Sequence, residues 1–242
     1  MTLPLPTRRD EDFRYADLEA LAPLWPVAVE TIDVAAGESD SLTIVASASS
    51  PVRSLSITLG AGAAFDLRIL NAGLAYGRIA LSVTLGEAAD FTLGAAQLGS
   101  ANETLEIVTT VTHAAPNATS RQTVRSVLAG HATGTYLGKV AVARGADGTD
   151  AVQSVRAMLL DRTATANAKP ELEIYADDVK CAHGCAVGEL DQQALFYMAS
   201  RGIPPAQAKR LMLQAFIAEA FVGAADEDTL TAAALARLET LV

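Results

Sequence analysis

The stretch Tyr175-Ala-Asp-Asp-Val-Lys-Cys-Ala-His-Gly-Cys-Ala-Val-Gly188 holds both cysteines of the chain and one of its three histidines. Thiolate and imidazole are soft donors that select zinc, copper(I) or iron–sulfur species. If Val179 to Val187 is extended, Cys181, His183 and Cys185 project from one face at period two, with neighbouring side chains roughly 7 Å apart. That is too wide for three donors to reach one ion at ~2.0–2.3 Å unless the strand bends, and Gly184 is where a bulge is expected. A structural zinc site needs four protein ligands, and no second Cys/His pair exists to complete one. The set is therefore either unfinished and completed by another chain, or not a metal site at all, with the cysteines as small apolar filler and the histidine simply hydrogen-bonded. A disulfide is not expected, because residues four apart on a strand are about 13 Å apart. Reduced thiols fit a reducing compartment. A Cys–His nucleophile pair needs sulfur and imidazole about 3 Å apart, which neighbours on one face of a strand do not offer.

The segments upstream must place this strand. From about residue 30 to 175, short runs such as Leu42-Thr-Ile-Val, Leu55-Ser-Ile-Thr-Leu, Ile79-Ala-Leu-Ser-Val-Thr-Leu and Leu105-Glu-Ile-Val-Thr-Thr-Val alternate with turns rich in Gly, Asn, Asp and Ala. Many short strands at even spacing predict an all-β body. Ser56-Ile-Thr-Leu-Gly-Ala-Gly-Ala-Ala-Phe-Asp-Leu67 aligns without gaps on Ser82-Val-Thr-Leu-Gly-Glu-Ala-Ala-Asp-Phe-Thr-Leu93, an offset of 26 residues. A repeat of that length marks a solenoid whose units bury their apolar faces on one another, so stacked coils of a parallel β-helix are expected, with a β-sandwich as the competing arrangement.

Residues 7–21 are expected to form a short helix that docks through Phe13, Leu18 and Leu21, ended by Pro23 and Pro26. After Gly188 the apolar period becomes helical. Asp191 caps a helix carrying Leu195, Phe196 and Met198, with Gly202 just past its end. Pro204 and Pro205 open a second helix with Ala208, Leu211, Met212, Ala215 and Phe216 on one face, and a third runs from Asp228 through Leu230, Ala234, Leu238 and Leu241. The expected division is thus a short N-terminal helical segment over 1–29, a β core over 30–188 and a helical appendage over 189–242, an all-β fold with a helical appendage.

Acidic side chains outnumber basic ones by 28 to 18, a net charge of −10 that repels phosphate backbones and anionic lipid, so neither nucleic acid nor a membrane is an expected partner. The N-terminus has no apolar stretch of the signal-peptide kind and no run approaches the roughly 18 residues of a membrane span, which predicts a cytoplasmic protein. No phosphate-cradling loop of the GxxxxGK[ST] form occurs. His113 and His131 stand alone and are assigned structural roles. An enzymatic alternative is a β-helix polysaccharide hydrolase or lyase using Asp177 and Asp178, although adjacent carboxylates on a strand would point to opposite faces.

Lys169-Pro-Glu-Leu-Glu-Ile-Tyr-Ala-Asp-Asp-Val-Lys-Cys-Ala-His-Gly184, followed by Val187-Gly and Leu195-Phe-Tyr-Met-Ala-Ser-Arg-Gly-Ile203, closely resembles the carboxy-terminal signature of the SufB/SufD family. His113-Ala-Ala-Pro, Gly138-Lys-Val, Thr149-Asp-Ala-Val-Gln153, Asp161-Arg and the opening Arg8-Arg-Asp-Glu-Asp-Phe-Arg-Tyr are similar to the same family, and Gly184 with Val187-Gly-Glu-Leu resembles its SufD-like branch. The resemblance implies a right-handed parallel β-helix core followed by short C-terminal helices. It also implies a non-catalytic scaffold of iron–sulfur cluster assembly that pairs with a SufB-like subunit through the helix end and docks a SufC-like ATPase. The implied docking residues are Leu195, Phe196, Tyr197, Arg201, Leu211 and Phe216 on the C-terminal helices. His183 matches the family's motif histidine, placed where a transient Fe–S cluster forms between subunits, and Cys181 matches the motif cysteine. Cys185 stands where a small residue is usual and is either an extra ligand or filler. No stably bound cofactor is expected, and a homodimer is possible in isolation. A purely structural tether for the ATPase is the remaining alternative. The chain is short for the SufD-like branch.

Overall fold

The computed structural model describes residues 4–241. Positions 1–3 and 242, assigned by the sequence to the N-terminal segment and the helical appendage, lie outside the described residues. Twelve strands follow one another: β1 (Val29–Val34), β2 (Ser39–Val45), β3 (Val52–Leu59), β4 (Ala64–Ala72), β5 (Tyr76–Leu85), β6 (Asp90–Gly99), β7 (Thr104–His113), β8 (Thr119–Leu128), β9 (Thr133–Val142), β10 (Asp150–Leu159), β11 (Thr165–Ile174) and β12 (Lys180–Gly188). The odd strands form one six-stranded sheet and the even strands another, each in chain order and each ladder parallel. Each coil thus contributes one strand to each sheet, giving six stacked coils of a β-helix. A sandwich of antiparallel hairpins is excluded.

The alternation along each strand dictates this packing. In β3, Leu55, Ile57 and Leu59 are buried at every second position, as are Phe65, Leu67 and Ile69 in β4, and these rows meet between the sheets. The sequence repeat is one coil: Ser56 lies beside Ser82, Leu59 beside Leu85, Phe65 beside Phe91 and Leu67 beside Leu93.

Successive turns between the odd and even strands are joined by a ladder of their own. Gly62 donates to the Glu87 carbonyl at 2.7 Å, Ala88 to Pro116 at 2.9 Å, Asn117 to Asp147 at 2.8 Å and Gly148 to Asp178 at 2.7 Å. All four donors have left-handed φ. Gly148 is needed twice over, since a Cβ there would fall 2.3 Å from the Asn117 side-chain oxygen. Its bond to Asp178 fixes the turn that launches β12.

Residues 7–21 do not form one helix. A 3-10 turn covers Glu11–Phe13 and a separate helix α1 spans Leu18–Leu21. The break has a physical cause in Glu106, fully buried on β7, which ion-pairs with Arg78 and accepts the Asp17 backbone N–H at 2.9 Å. Arg78 also donates to the Asp12 carbonyl at 2.8 Å and lies over the Phe13 ring. Satisfying this buried pair takes backbone groups that a continuous helix would have used.

Three further helices, α2 (Gln192–Ser200), α3 (Pro205–Ala218) and α4 (Glu227–Leu238), cover the even-numbered sheet. Leu213, Ile217, Phe221, Leu230 and Leu238 pack with Leu70, Leu98 and Val127. The buried face of α3 is Ala208, Leu213 and Ile217, rotated from the expected one; Leu211 and Ala215 point outward because Leu213 and Ile217 lead directly into buried Phe221. Arg125 of β8 holds α3 through Glu219 at 2.6 Å, and Arg68 donates to the Ala220 carbonyl at 3.0 Å.

His113 sits in the core, sharing a 2.9 Å hydrogen bond with Ser120, and burial pushes its pKa down to about 4. An unfolded histidine titrates near 6.5. Between these values only the unfolded chain takes up the proton. The contribution is therefore full above about pH 6.5 and is lost as pH falls toward 4, up to roughly 3 kcal/mol. In denaturant titrations at pH 7 and pH 4.5, wild type is expected to lose more stability on acidification than His113→Gln; equal losses would contradict this.

Candidate functional site at the open end

The last coil is paired on one side only: β12 hydrogen-bonds to β10 alone and β11 to β9 alone. Register fixes which side chains face the interior. Cys181 stacks beside Ala151, His183 beside Gln153, Cys185 beside Val155 and Val187 beside Ala157, and all four partners on β10 are buried inward residues. On β11 the inward row is Ala166, Ala168, Pro170, Leu172 and Ile174, beside Gly134, Tyr136, Gly138, Val140 and Val142. With no further coil on top, these interior positions reach the surface: His183 and Cys185 are exposed and Cys181 is half-buried.

Pairing of β12 with β10 is unbroken from Lys180 to Gly188, so the bulge expected at Gly184 is absent. The three donors stay on one face and spaced as on a regular strand, roughly 7 Å between neighbours. Among the described residues no three His, Cys, Asp or Glu side chains are grouped to hold a metal ion. Partial desolvation by the neighbouring strands raises the thiol pKa of Cys181 and of the more exposed Cys185. Each donor can thus give one bond to something shared with another chain, but the three cannot close on one ion. Asp177 and Asp178 lie exposed in the turn before β12, not on a strand.

Beneath the row lies a feature the sequence reading missed. One register position runs Leu42, Leu67, Leu93, Gln122, Gln153, His183 through successive coils, apolar in the first three and polar in the last three. Gln153 Nε2 donates to Gln122 Oε1 and to Tyr136 Oη, both at 3.3 Å, and Tyr136 Oη donates to Gln122 Oε1 at 3.2 Å and hydrogen-bonds Thr109 at 3.1 Å. The available signal was Gln122-Thr-Val and Gln153-Ser-Val, two matching triplets with glutamine at an inward position.

The residues expected to dock a partner differ in exposure. Phe196, Tyr197, Arg201 and Leu211 are exposed, whereas Leu195 and Phe216 are half-buried against the helical core. Leu195 and Phe196 line a groove of about 810 Å³ with Leu160, Leu190 and Lys209, and Leu211 lies with Arg210 and Glu239 in an adjoining depression that shares Ala206 with it. Among the described residues no helix is long and apolar enough to cross a membrane.

Residues 33–216 match the family model for the SUF system FeS cluster assembly SufBD core domain. The chain belongs to the SufBD core family. It is 36% identical over 126 residues to the iron–sulfur cluster assembly protein SufD of Escherichia coli K12, covering 52% of this chain and 30% of that protein. It is 40% identical over 119 residues to the chloroplastic protein ABCI7 of Arabidopsis thaliana, covering 48% of this chain and 25% of that protein. The matched segments thus take in less than a third of either curated relative. Membership in this iron–sulfur assembly family and the β-helix core are in accord with the resemblance read from the sequence.

Proposed function

We propose that this chain is a SufD-like scaffold subunit of iron–sulfur cluster assembly, working without turnover chemistry of its own beside an ATPase. Its open end pairs with a SufB-like subunit, and the transient cluster built there from iron and sulfide is cargo. The single observation that carries this reading is the last coil, where two unpaired strand edges and an unfilled inward row present Cys181, His183 and Cys185. Unpaired edges take a further strand, and an apolar row that ends in solvent is a surface for another protein. The donor row lacks the remaining ligands, which a second chain supplies. Imidazole in place of a thiolate, beside thiols that stay protonated until metal displaces their protons, holds a cluster loosely enough to hand on. The groove beside Leu195 and Phe196 serves a SufC-like ATPase, with Tyr197, Arg201, Leu211 and Phe216 around it. In isolation the same end supports a homodimer, and free thiols suit a reducing cytoplasm.

The experiment is reconstitution with SufB- and SufC-like chains, iron, sulfide and ATP, reading cluster transfer to an apo-ferredoxin. His183→Ala is expected to keep the complex intact and to lower transfer at least roughly tenfold, and Cys185→Ala tells an extra ligand, with reduced transfer, from filler, with transfer close to wild type. Full transfer by a His183→Ala, Cys181→Ala double variant would leave only a structural tether.

A further inference from the structure

Gln153 is 1% exposed, and its amide is half used: Nε2 has two acceptors, while Oε1 has no hydrogen-bond partner. A buried carbonyl oxygen left without a donor carries a penalty that native structures avoid. The next rung outward, ~4.8 Å away on the same face, is His183, which itself has no partner among the described residues. An orphan acceptor thus sits directly under an imidazole, whose neutral form always carries one N–H.

On the outward side of that oxygen no other side chain supplies a donor. Cys181 and Cys185 flank His183 on the same face but sit over Ala151 and Val155, two register positions to either side. The neighbouring inward residue of β11, Ala168, brings no side-chain donor. Below, Gln122 accepts from Gln153 and Tyr136 through Oε1, and its Nε2, also without a partner, makes no bond to Gln153 Oε1.

We infer that Gln153 is the positioning residue of His183: its free oxygen accepts one imidazole N–H, selects a single tautomer and turns the other ring nitrogen, with its lone pair, outward to the open end. The polar run Thr109–Tyr136–Gln122–Gln153 then has a task, since it holds the amide through Nε2 and leaves Oε1 free. Histidines that bind metals through one nitrogen are commonly held this way through the other. This inference rests on the proposed role of His183 as a ligand only for its purpose, not for its geometry.

The test reads ring ¹⁵N chemical shifts in the full chain labelled at its three histidines, at a pH where imidazole is neutral. In wild type the two His183 nitrogens are expected to be widely separated, as for one tautomer favoured roughly three- to tenfold. Gln153→Met, which keeps the volume and removes the acceptor, is expected to draw them together, while Val155→Ala, which loosens the same strand, leaves them apart. Should Gln153→Met fail to fold, Tyr136→Phe, which frees the amide to rotate, is expected to reduce the separation. Unchanged His183 shifts in a folded Gln153→Met or Tyr136→Phe protein, or an equal response to Val155→Ala, would overturn the inference. Because no cluster enters this readout, a tautomer response combined with undiminished transfer by His183→Ala would retain the positioning contact and discard the ligand role.

Discussion

Replacing Gly94 by valine is expected to unseat the helical appendage and to destabilise the protein by about 4 kcal/mol or more. A Cβ at this position of β6 would fall 1.8 Å from the Ala220 carbonyl oxygen and 2.5 Å from Arg68 Nη1. The first obstacle is backbone, so no rotamer change relieves it. The end of α3 must move away, carrying fully buried Phe221 with it and breaking the 3.0 Å bond from Arg68 to Ala220. Arg68 would keep its ion pair with Asp66 but lose its partner in the appendage, and a buried guanidinium left short of acceptors adds to the overpacking cost. Urea unfolding should show the loss, and limited proteolysis should open sites between residues 189 and 204. A Gly94→Val protein with wild-type stability and protease resistance would contradict this account of the contact.

The second large effect is expected at the open end. Ile174 and Val187 are inward by register yet 41% and 48% exposed, so a carboxylate at either is tolerated in the lone chain. Covered by a second protein, each would be a buried unpaired charge, at a cost of several kcal/mol. The double variant Ile174→Asp, Val187→Asp is expected to weaken pairing with a SufB-like subunit, or with a second copy, by at least roughly a hundredfold, with an unchanged melting curve. Val29→Asp with Val45→Asp, 60% and 53% exposed in the first coil, should leave pairing intact. Size-exclusion chromatography with light scattering reads both, and normal pairing by the first variant would remove the open end from the proposal.

The β-helix was legible because two coils, Ser56–Leu67 and Ser82–Leu93, share both pattern and length. The other coils were not legible as copies because the step grows from 25 residues, Val29 to Ser54, to 32, Thr133 to Thr165, so no single offset aligns them. The Cys–His row was legible from period two alone, but its inability to close on one ion was not, because only the unbroken register of β12 on β10 removes the bend at Gly184. Its exposure was not, because only the absence of a seventh coil turns interior positions outward. The break near Asp17 depends on a buried carboxylate 89 residues away in the chain, and the glutamines became meaningful only once register stacked Gln122, Gln153 and His183. Half-buried Leu195 and Phe216 illustrate the same limit, since the apolar period of a helix does not say whether a neighbour within the chain or a partner covers it.

The switch from leucine to glutamine along one register position carries a thermodynamic corollary. In a stack where each layer touches only its neighbours, stability is a sum of layer and interface contributions, and each end layer has one interface where the inner ones have two. Here the last layer also rests on amides instead of leucines. Its opening free energy is therefore below that of the inner coils, and β11 with β12 can fray while those stay closed. A protein that capped that end as proposed would supply the missing interface, and association and the ordering of the donor-bearing strand would then be a single coupled equilibrium.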